Sequence, residues 1–131
     1  MGLDNGIVAQ GISKSDIPNF VHLPFECVEE DQDTEHVIAY WRKCYGVREA
    51  ILSVLHGAIQ DHTNIDAEDL PAIRRALVPF MSKEHWESEG DSIWEFEEIF
   101  ESLLHDLINL FWLEQYMRDH PEVKCYFYDS F

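Results

Sequence analysis

A long helical pattern near the C-terminal end constrains the fold of this chain more than any other feature. Ser92 and Glu95 have the spacing of a capping box, in which the two side chains satisfy free backbone N–H groups at a helix start. The helix is predicted to continue to about His120 and to end before Pro121. Its predicted apolar face consists of Phe96, Ile99, Phe100, Leu103, Leu107, Leu110 and Phe111. A helix of this length needs the rest of the chain to cover that face.

Two further helices are predicted upstream. The first runs from about Glu35 to about Gln60. The second is short, starts either with Asp66 as its N-terminal cap or with Pro71 in its first turn, and ends before Pro79. The intervening residues 61–66 are predicted to form a loop. The apolar positions of the first helix are Val37, Trp41, Cys44, Tyr45, Ile51, Leu52, Leu55 and Ile59.

Both ends of the chain are predicted to form strands. Residues 7–9 are a short apolar run closed by Gly11, and residues 123–128 are rich in β-branched and aromatic side chains. Neither strand can satisfy its backbone alone, so the two are predicted to pair. The predicted fold is a single α+β domain, residues 1–131, that is mainly α, with two long helices, one short helix and a small sheet formed by the N- and C-terminal strands.

Acidity dominates the predicted surface. The net charge is −17, from 26 acidic residues against nine lysines and arginines, and acids are dense from Glu84 to Glu101. Such a chain repels nucleic acids and anionic lipids, because binding phosphates requires clustered cations. The acids either only keep the protein soluble, or they contact a protein partner with a basic surface or copy the charge of DNA. A homodimer through the side of the long helix opposite its apolar face is also an alternative.

The sequence does not predict a membrane or secretory protein. No apolar run approaches the ~18 residues of a membrane-spanning helix, and residues 1–4 lack the basic and apolar regions of a secretory signal. The cysteines, Cys27, Cys44 and Cys125, have no CxxC spacing and are typical of reduced thiols. The predicted location is the cytoplasm.

Two charged residues fall at positions where the helical patterns require apolar ones. Arg48 lies in the middle of the apolar face of the first predicted helix, and Glu114 lies on the apolar face of the long helix. A buried unpaired charge costs roughly several kcal/mol, so each is expected to find a partner. The alternatives are that each side chain reaches solvent, that the two form an ion pair with each other, or that they form the polar floor of a pocket.

The opposite side of the long helix is a candidate partner surface. Exposed apolar groups with an acidic rim are typical of interaction surfaces. The residues of this predicted surface are Trp94, Glu98, Glu101, His105, Ile108, Trp112 and Tyr116. The alternative is that this side is also buried, under the N-terminal segment and the short second helix.

A search for catalytic motifs is negative. The chain contains no glycine-rich phosphate loop, zinc-protease motif, nucleophile elbow or EF-hand spacing, and its seven histidines are scattered. No catalytic residue, metal site or cofactor is predicted. Because catalytic triads are assembled in space rather than in sequence, an enzyme built from distant residues stays an alternative.

Three segments carry a family resemblance. The chain has MGLD at residues 1–4, YWRK at residues 40–43 and an aromatic run at residues 125–131. In this order they resemble a family of small uncharacterised proteins of phages and bacteria, with an N-terminal MGLD, a YWRK helix and a C-terminal aromatic strand. The resemblance implies a phage or mobile-element origin, and it brings no established activity with it.

The resemblance also singles out Asp4, Tyr40, Arg42 and Lys43 as a motif. A structural role is an ion pair in which Arg42 binds Asp4 and holds the N-terminal strand in place. A functional role is binding of a small anionic ligand or of an acidic group on a partner. The predicted function is a non-enzymatic acidic cytosolic interaction protein that binds or inhibits a basic host protein. The alternative is a small enzyme or ligand-binding domain with a pocket near Asp4, Tyr40 and Arg42.

Overall fold

The computed structural model describes residues 4–24, 34–42, 44–55, 62–88 and 96–130, and these residues contain four strands and four α-helices. Strand β1 is Asp4–Gln10, strand β2 is Glu35–Arg42, helix α1 is Tyr45–Val54 and strand β3 is His62–Asn64. Helix α2 is Asp69–Leu77, helix α3 is Lys83–Ser88, helix α4 is Phe96–Asp119 and strand β4 is Lys124–Ser130.

The strands form one antiparallel sheet in the order β2-β1-β4-β3. The N- and C-terminal strands pair along their whole length, from Asp4 opposite Ser130 to Gln10 opposite Lys124. The pairing of these two strands is as predicted, but a sheet made only of them is wrong. Strand β2 continues the sheet beside β1, and β3 continues it beside β4. The outer edge of β1 is thereby hydrogen-bonded to β2, and the outer edge of β4 to β3. In a sheet of only two strands both of these edges would lack partners.

Strand β2 occupies the first part of the predicted first helix. Its register with β1 shifts between Ile7 and Val8, so that Ile38 is an extra residue in β2. Such a bulge changes which face the following side chains occupy. Before it the even-numbered His36 is buried, and after it the odd-numbered Trp41 is buried. The regular alternation of a strand is therefore broken, and the apolar spacing imitates that of a helix.

The helices differ from the prediction in number and length. Helix α4 is the predicted long helix, and it ends before Pro121. Helix α1 has only ten residues, α2 has nine with Pro71 in its first turn, and α3 is an additional helix of six. The prediction of two long helices and one short helix is therefore wrong, because the described residues contain one long helix and three shorter ones. The predicted loop at 61–66 contains β3, and the capping box at Ser92 and Glu95 lies outside the described residues.

One apolar core joins the helices to the sheet. Helix α4 packs on β2 and on α2, and α2 packs in turn on α1. Every residue of β1 from Asn5 to Ala9 is buried, so both faces of this strand are covered. Gly6 lies where the backbones crowd, because a Cβ at this position would lie 3.1 Å from the carbonyl oxygen of Ala39.

Helix α4 buries a different face from the predicted one. Leu103 and Leu110 are buried, as predicted, but Phe100 and Phe111 are exposed. The apolar pattern of the sequence therefore predicted a buried face whose centre is rotated about the helix axis toward Phe100 and Phe111, away from the true one. The reason is that the true buried face contains polar residues.

Asn109 is the clearest of these buried polar residues. Its side-chain amide donates to the carbonyl oxygens of His22 and Ile38, at 2.8 and 3.0 Å. Its oxygen accepts from the backbone N–H of His22 at 3.1 Å. A polar side chain whose bonds are satisfied in this way is tolerated in a core. Asn109 thus ties the N-terminal segment and β2 to the buried face of α4.

Candidate functional site

The first misplaced charge, Arg48, holds a buried polar network between α1 and the sheet. Its Nε and Nη2 atoms donate to the two carboxylate oxygens of Asp129 at 2.9 and 3.0 Å. The side chain of Asn5 donates to the same carboxylate at 2.6 Å, and Arg48 also contacts Glu49 at 3.1 Å. Arg48 and Asp129 are each only 5 % exposed. The network joins α1 to both terminal strands.

The second misplaced charge, Glu114, is paired elsewhere. Its carboxylate accepts hydrogen bonds from Arg74 of α2 and from Arg118 one turn further along α4, the latter at 2.9 Å. Burial by itself raises the pKa of the Glu114 carboxyl, but the two guanidinium groups outweigh it, so this pKa lies below its ordinary value. Arg48 and Glu114 are both buried and both bonded to opposite charges. The alternative of an ion pair between the two is wrong, because α2 packs on α4 and supplies its own arginine to Glu114.

The YWRK motif lies at the end of β2, so the expected YWRK helix is wrong. Trp41 is buried, Tyr40 is half-buried and Arg42 is exposed. The register of the sheet places the Cα atom of Arg42 opposite that of Asp4, which is the neighbourhood that an ion pair between their side chains requires. The pair itself stays a prediction, and Lys43 lies outside the described residues.

The predicted partner surface on α4 is partly covered by the segment at residues 12–24. The hydroxyl of Tyr116 donates to the Asp16 carboxylate at 2.8 Å, and the ring of His105 lies 4.5 Å from that of His22. Burial first, and then the hydrogen bond to Asp16, raise the pKa of Tyr116 to about 12, so the hydroxyl keeps its proton and continues to donate. This side of α4 therefore makes contacts within the chain.

The other residues of that predicted surface are in mixed positions. Trp112 is half-buried, whereas Glu98, Glu101 and Ile108 are exposed. Glu101 lies 3.9 Å from His105, one turn further along the helix. Trp94 lies outside the described residues. The predicted surface is thus divided between an intramolecular contact and open acidic positions.

A row of exposed apolar side chains lies beside the predicted partner surface on α4 and shares Ile108 with it. Its members follow at intervals of four, four and three residues, which is the spacing of one helical face. They are Phe100, Leu104, Ile108 and Phe111, which are 39, 41, 36 and 55 % exposed. We name these four residues the apolar stripe. Its C-terminal end also contacts Arg74, whose guanidinium carbon lies 5.2 Å from the centre of the Phe111 ring.

The N-terminal end of the apolar stripe is acidic. Glu97 and Glu101 are exposed and lie two turns before Leu104 and Ile108, which places them on the same side of the helix. The sequence contains no lysine or arginine between Lys83 and Arg118. The described acids from Glu84 to Glu101 are all exposed, namely Glu84, Glu87, Glu97, Glu98 and Glu101. The apolar stripe therefore adjoins a strongly negative stretch of surface.

A second candidate site is a cavity of about 320 Å³ that includes the end of β2, α3 and the first half of α4 in its walls. Three of its lining residues carry a buried polar atom without a hydrogen-bond partner in the described part of the chain. These atoms are Nε1 of Trp41, Nε1 of Trp86 and Oδ2 of Asp106. The three residues are 5, 1 and 3 % exposed. Unpartnered buried polar atoms are costly and uncommon, so three around one cavity mark it as a candidate ligand site.

The acid of this cavity carries a proton at neutral pH. Burial raises the pKa of the Asp106 carboxyl to about 8, and the nearby indole N–H of Trp41 offsets this only in part. Trp41 is thus near enough to act on the carboxyl, but neither its Nε1 atom nor Oδ2 of Asp106 makes a hydrogen bond of normal geometry. The protonated carboxyl can donate as well as accept a hydrogen bond. A neighbouring cavity of about 290 Å³, whose lining includes His22 and His105, also reaches Asp106.

The alternative of a pocket near Asp4, Tyr40 and Arg42 shares Tyr40 and Arg42 with the lining of this cavity, but sequence reasoning did not identify Trp86 or Asp106. Asp106 lies three residues after Leu103, four before Leu110 and seven before Leu113, so it shares their face of the helix. That position could have identified a buried acid. No comparable signal connects Asp106 with the tryptophans of β2 and α3, which approach it only in the folded chain.

The described residues show little sign of metal or thiol chemistry. Among them, no group of three or more histidine, cysteine, aspartate or glutamate side chains could hold a metal ion. Cys125 is buried, and burial first, with the charge of Asp69, raises the pKa of its thiol to about 12, which suppresses the reactive thiolate. Within the same ranges, no helix has the length and apolar character that crossing a membrane requires.

Comparison with known proteins leaves the chain without a demonstrated relative. No family model, no curated protein and no solved structure matches it. The resemblance of its three segments to small phage and bacterial proteins therefore stays a prediction.

Proposed function

We propose that this chain is a non-enzymatic acidic interaction protein that binds a basic protein partner through the apolar stripe of α4. The observation that carries this proposal is the stripe itself, four large apolar side chains on the solvent side of a 24-residue helix. Contiguous exposed apolar side chains bordered by polar groups are typical of protein contact surfaces.

The negative charge of the chain favours a partner with a basic surface. Glu97 and Glu101 adjoin the stripe, and the net charge of the whole chain is −17. A partner that offers an apolar patch with lysines and arginines beside it gains electrostatic attraction as well as apolar burial. A second copy of this chain brings the same strongly negative charge to the interface, and like charges oppose association. The stripe therefore fits a basic protein better than it fits a homodimer.

Binding over such a surface gives a direct route to inhibition. A cytosolic protein of phage or mobile-element origin, as the family resemblance implies, would cover a functional patch of a basic host protein. The acids would speed the encounter, and the apolar stripe would prolong the complex, because rim charges act mainly on association and buried anchors on dissociation.

The test begins with capture of binding proteins from a host extract, followed by purification of the most abundant basic partner. Its dissociation constant is then measured for the wild type and for Leu104→Glu. We expect Leu104→Glu to weaken binding by at least about tenfold, because it places a charge in the centre of an apolar contact. Raising the salt concentration from about 0.1 M to about 0.5 M is expected to weaken wild-type binding further, since screening shortens the reach of exposed charges.

Phe20→Ser is the matched control, because Phe20 is 56 % exposed but lies outside α4. It is expected to leave the dissociation constant unchanged. Equal binding by wild type and Leu104→Glu, or binding that does not respond to salt, would reject the proposal. Sedimentation velocity tests the homodimer: a wild-type dimer that Leu104→Glu converts to a monomer would identify a second copy as the occupant of the stripe instead.

A further inference from the structure

The cavity at the end of β2 is a second and separate binding site. We propose that it binds a small, neutral aromatic compound whose carbonyl oxygen accepts hydrogen bonds from two of three donors, which are the indole N–H groups of Trp41 and Trp86 and the acid group of Asp106. This inference does not depend on the apolar stripe, which lies on the exposed face of α4, whereas the three cavity residues are buried.

The polar atoms of the cavity define what the ligand must offer. An indole N–H only donates, so the unpartnered Nε1 atoms of Trp41 and Trp86 both require an acceptor. Asp106 supplies a third donor as long as its carboxyl is protonated, which its raised pKa of about 8 provides at neutral pH. A ligand rich in donors leaves these atoms unsatisfied, whereas the two lone pairs of a carbonyl oxygen accept from two of the three donors.

The walls of the cavity define the rest of the ligand. Tyr40, Trp41 and Trp86 contribute aromatic rings, and Ile99 and Leu103 contribute aliphatic surface. A volume of about 320 Å³ suits a compound of one or two rings. Aromatic walls favour an aromatic body because rings pack on one another in offset or edge-on contacts.

The charges near the cavity favour a neutral ligand over an ion. Arg42 and Glu98 both lie in the lining and have opposite signs, so neither sign of ligand charge is preferred at the opening. Deeper in, the partners are neutral donors beside buried apolar side chains. Moving an ion into such surroundings costs more than moving a neutral carbonyl compound.

Benzamide, benzoate and benzylamine make a matched set of probes, because they share one ring and differ mainly in charge. Each is titrated into the full chain at pH 6.5 while the indole N–H signals of the tryptophans are followed by NMR. We expect benzamide to shift the Trp41 and Trp86 signals saturably, with a Kd of about 1 mM for so small a ligand, and to leave Trp112 unmoved. Benzoate and benzylamine are expected to bind at least about tenfold more weakly.

Variants test the individual donors. Trp41→Phe and Trp86→Phe each keep a ring but remove one N–H, and each is expected to weaken benzamide binding about fivefold. Trp112→Phe is the control and is expected to change nothing. If a cavity variant fails to fold, the wild-type titration and Asp106→Asn still decide the matter, because the asparagine amide retains both a donor and an acceptor in the same shape.

The dependence on pH isolates the acid group. Between pH 6.5 and pH 9.5, wild-type affinity for benzamide is expected to fall as Asp106 ionises near pH 8, and that of Asp106→Asn to fall less. The other titratable or charged groups that face this region are common to both proteins and cancel in the comparison. They are Tyr40, Arg42, Cys44, Glu98, Glu101, His22 and His105.

Three results would overturn the inference. The first is an absence of saturable shifts at Trp41 and Trp86 with benzamide. The second is an equal shift at Trp112, which would indicate non-specific binding. The third is tighter binding of benzylamine or benzoate than of benzamide, which would assign the cavity to a charged ligand.

Discussion

Arg48 and Asp129, which are 81 residues apart, form a two-pronged ion pair in which both carboxylate oxygens accept from one guanidinium group. This geometry is stronger and more directional than a single contact between charges. The pair connects α1 with β4 in the interior, and Asn5 extends it to β1. The pair thus adds a side-chain connection to the backbone pairing of the two terminal strands.

Replacing Arg48 by Met is expected to cost about 3–5 kcal/mol of unfolding free energy, because it leaves the Asp129 carboxylate buried without its cation. Urea unfolding followed by circular dichroism measures this change. Arg75→Met, at an exposed position of α2, is the control and is expected to be nearly neutral. The double variant Arg48→Met with Asp129→Leu is expected to recover much of the loss. A loss below about 1 kcal/mol in the single variant would contradict the role assigned to the pair.

Glu114→Gln tests the second buried charge. The variant keeps the shape of the side chain but removes the charge that Arg74 and Arg118 neutralise, and the expected loss at pH 7 is about 2–3 kcal/mol. Because the folded-state pKa of Glu114 lies below its ordinary value of 4.5, the charged carboxylate stabilises the fold above that pH. This contribution disappears as the pH falls through the lowered pKa.

Unfolding of wild type and Glu114→Gln is therefore compared at pH 7 and near pH 3. The gap between the two proteins is expected to shrink at the lower pH. Glu84→Gln, at an exposed position on α3, serves as the control and should show no such gap. A difference between wild type and Glu114→Gln that is equal at both pH values would show that the effect is steric rather than electrostatic.

Asp106 is expected to lower the stability of the wild-type fold as the pH rises, and Asp106→Asn is expected to remove this dependence. The unfolded carboxyl ionises near its ordinary pKa of 3.8, whereas the folded one holds its proton to about pH 8. Across this interval the folded state binds one more proton than the unfolded state, so Asp106 lowers stability by about 1.4 kcal/mol for each pH unit. Asparagine does not titrate.

Thermal or urea unfolding at pH 5 and pH 8 measures this effect. The stability of Asp106→Asn relative to wild type is expected to rise by about 4 kcal/mol between these two pH values. The neighbouring groups His22, Glu98, Glu101 and His105 are present in both proteins, so their titration cancels to first order. A constant difference between the proteins would mean that Asp106 is already ionised at pH 5.

Thiol labelling distinguishes the two described cysteines. Cys125 is buried with a thiol pKa raised to about 12, whereas Cys44 is only half-buried. In single-cysteine variants, Cys125 is expected to react with an aromatic disulfide reagent at least about tenfold more slowly than Cys44 at pH 8. Labelling in urea is the control, and there the two rates are expected to converge. Fast labelling of Cys125 in the native protein would place β4 in a more open structure.

Local patterns determined the features of this fold that depend on neighbouring residues. The length of α4 and its end before Pro121 follow from helical periodicity and from the missing proline N–H. The terminal strands follow from composition and from the need of each strand for a partner. The positions of Arg48 and Glu114 among apolar residues identified both as candidates for burial, with solvent exposure left as the alternative, and both are buried. Each of these inferences uses residues within a few turns of one another.

Only the tertiary structure decided which distant groups meet. The bulge at Ile38 forms where β2 pairs with β1. It breaks the two-residue alternation of buried and exposed side chains by which a strand is recognised in a sequence. Asp129 and Arg74 are the partners of Arg48 and Glu114 because the sheet and α2 bring them there. The approach of Asp106 to its two tryptophans has the same origin. Contacts between elements depend on how whole faces pack, and that packing is settled by the complete core rather than by any one segment.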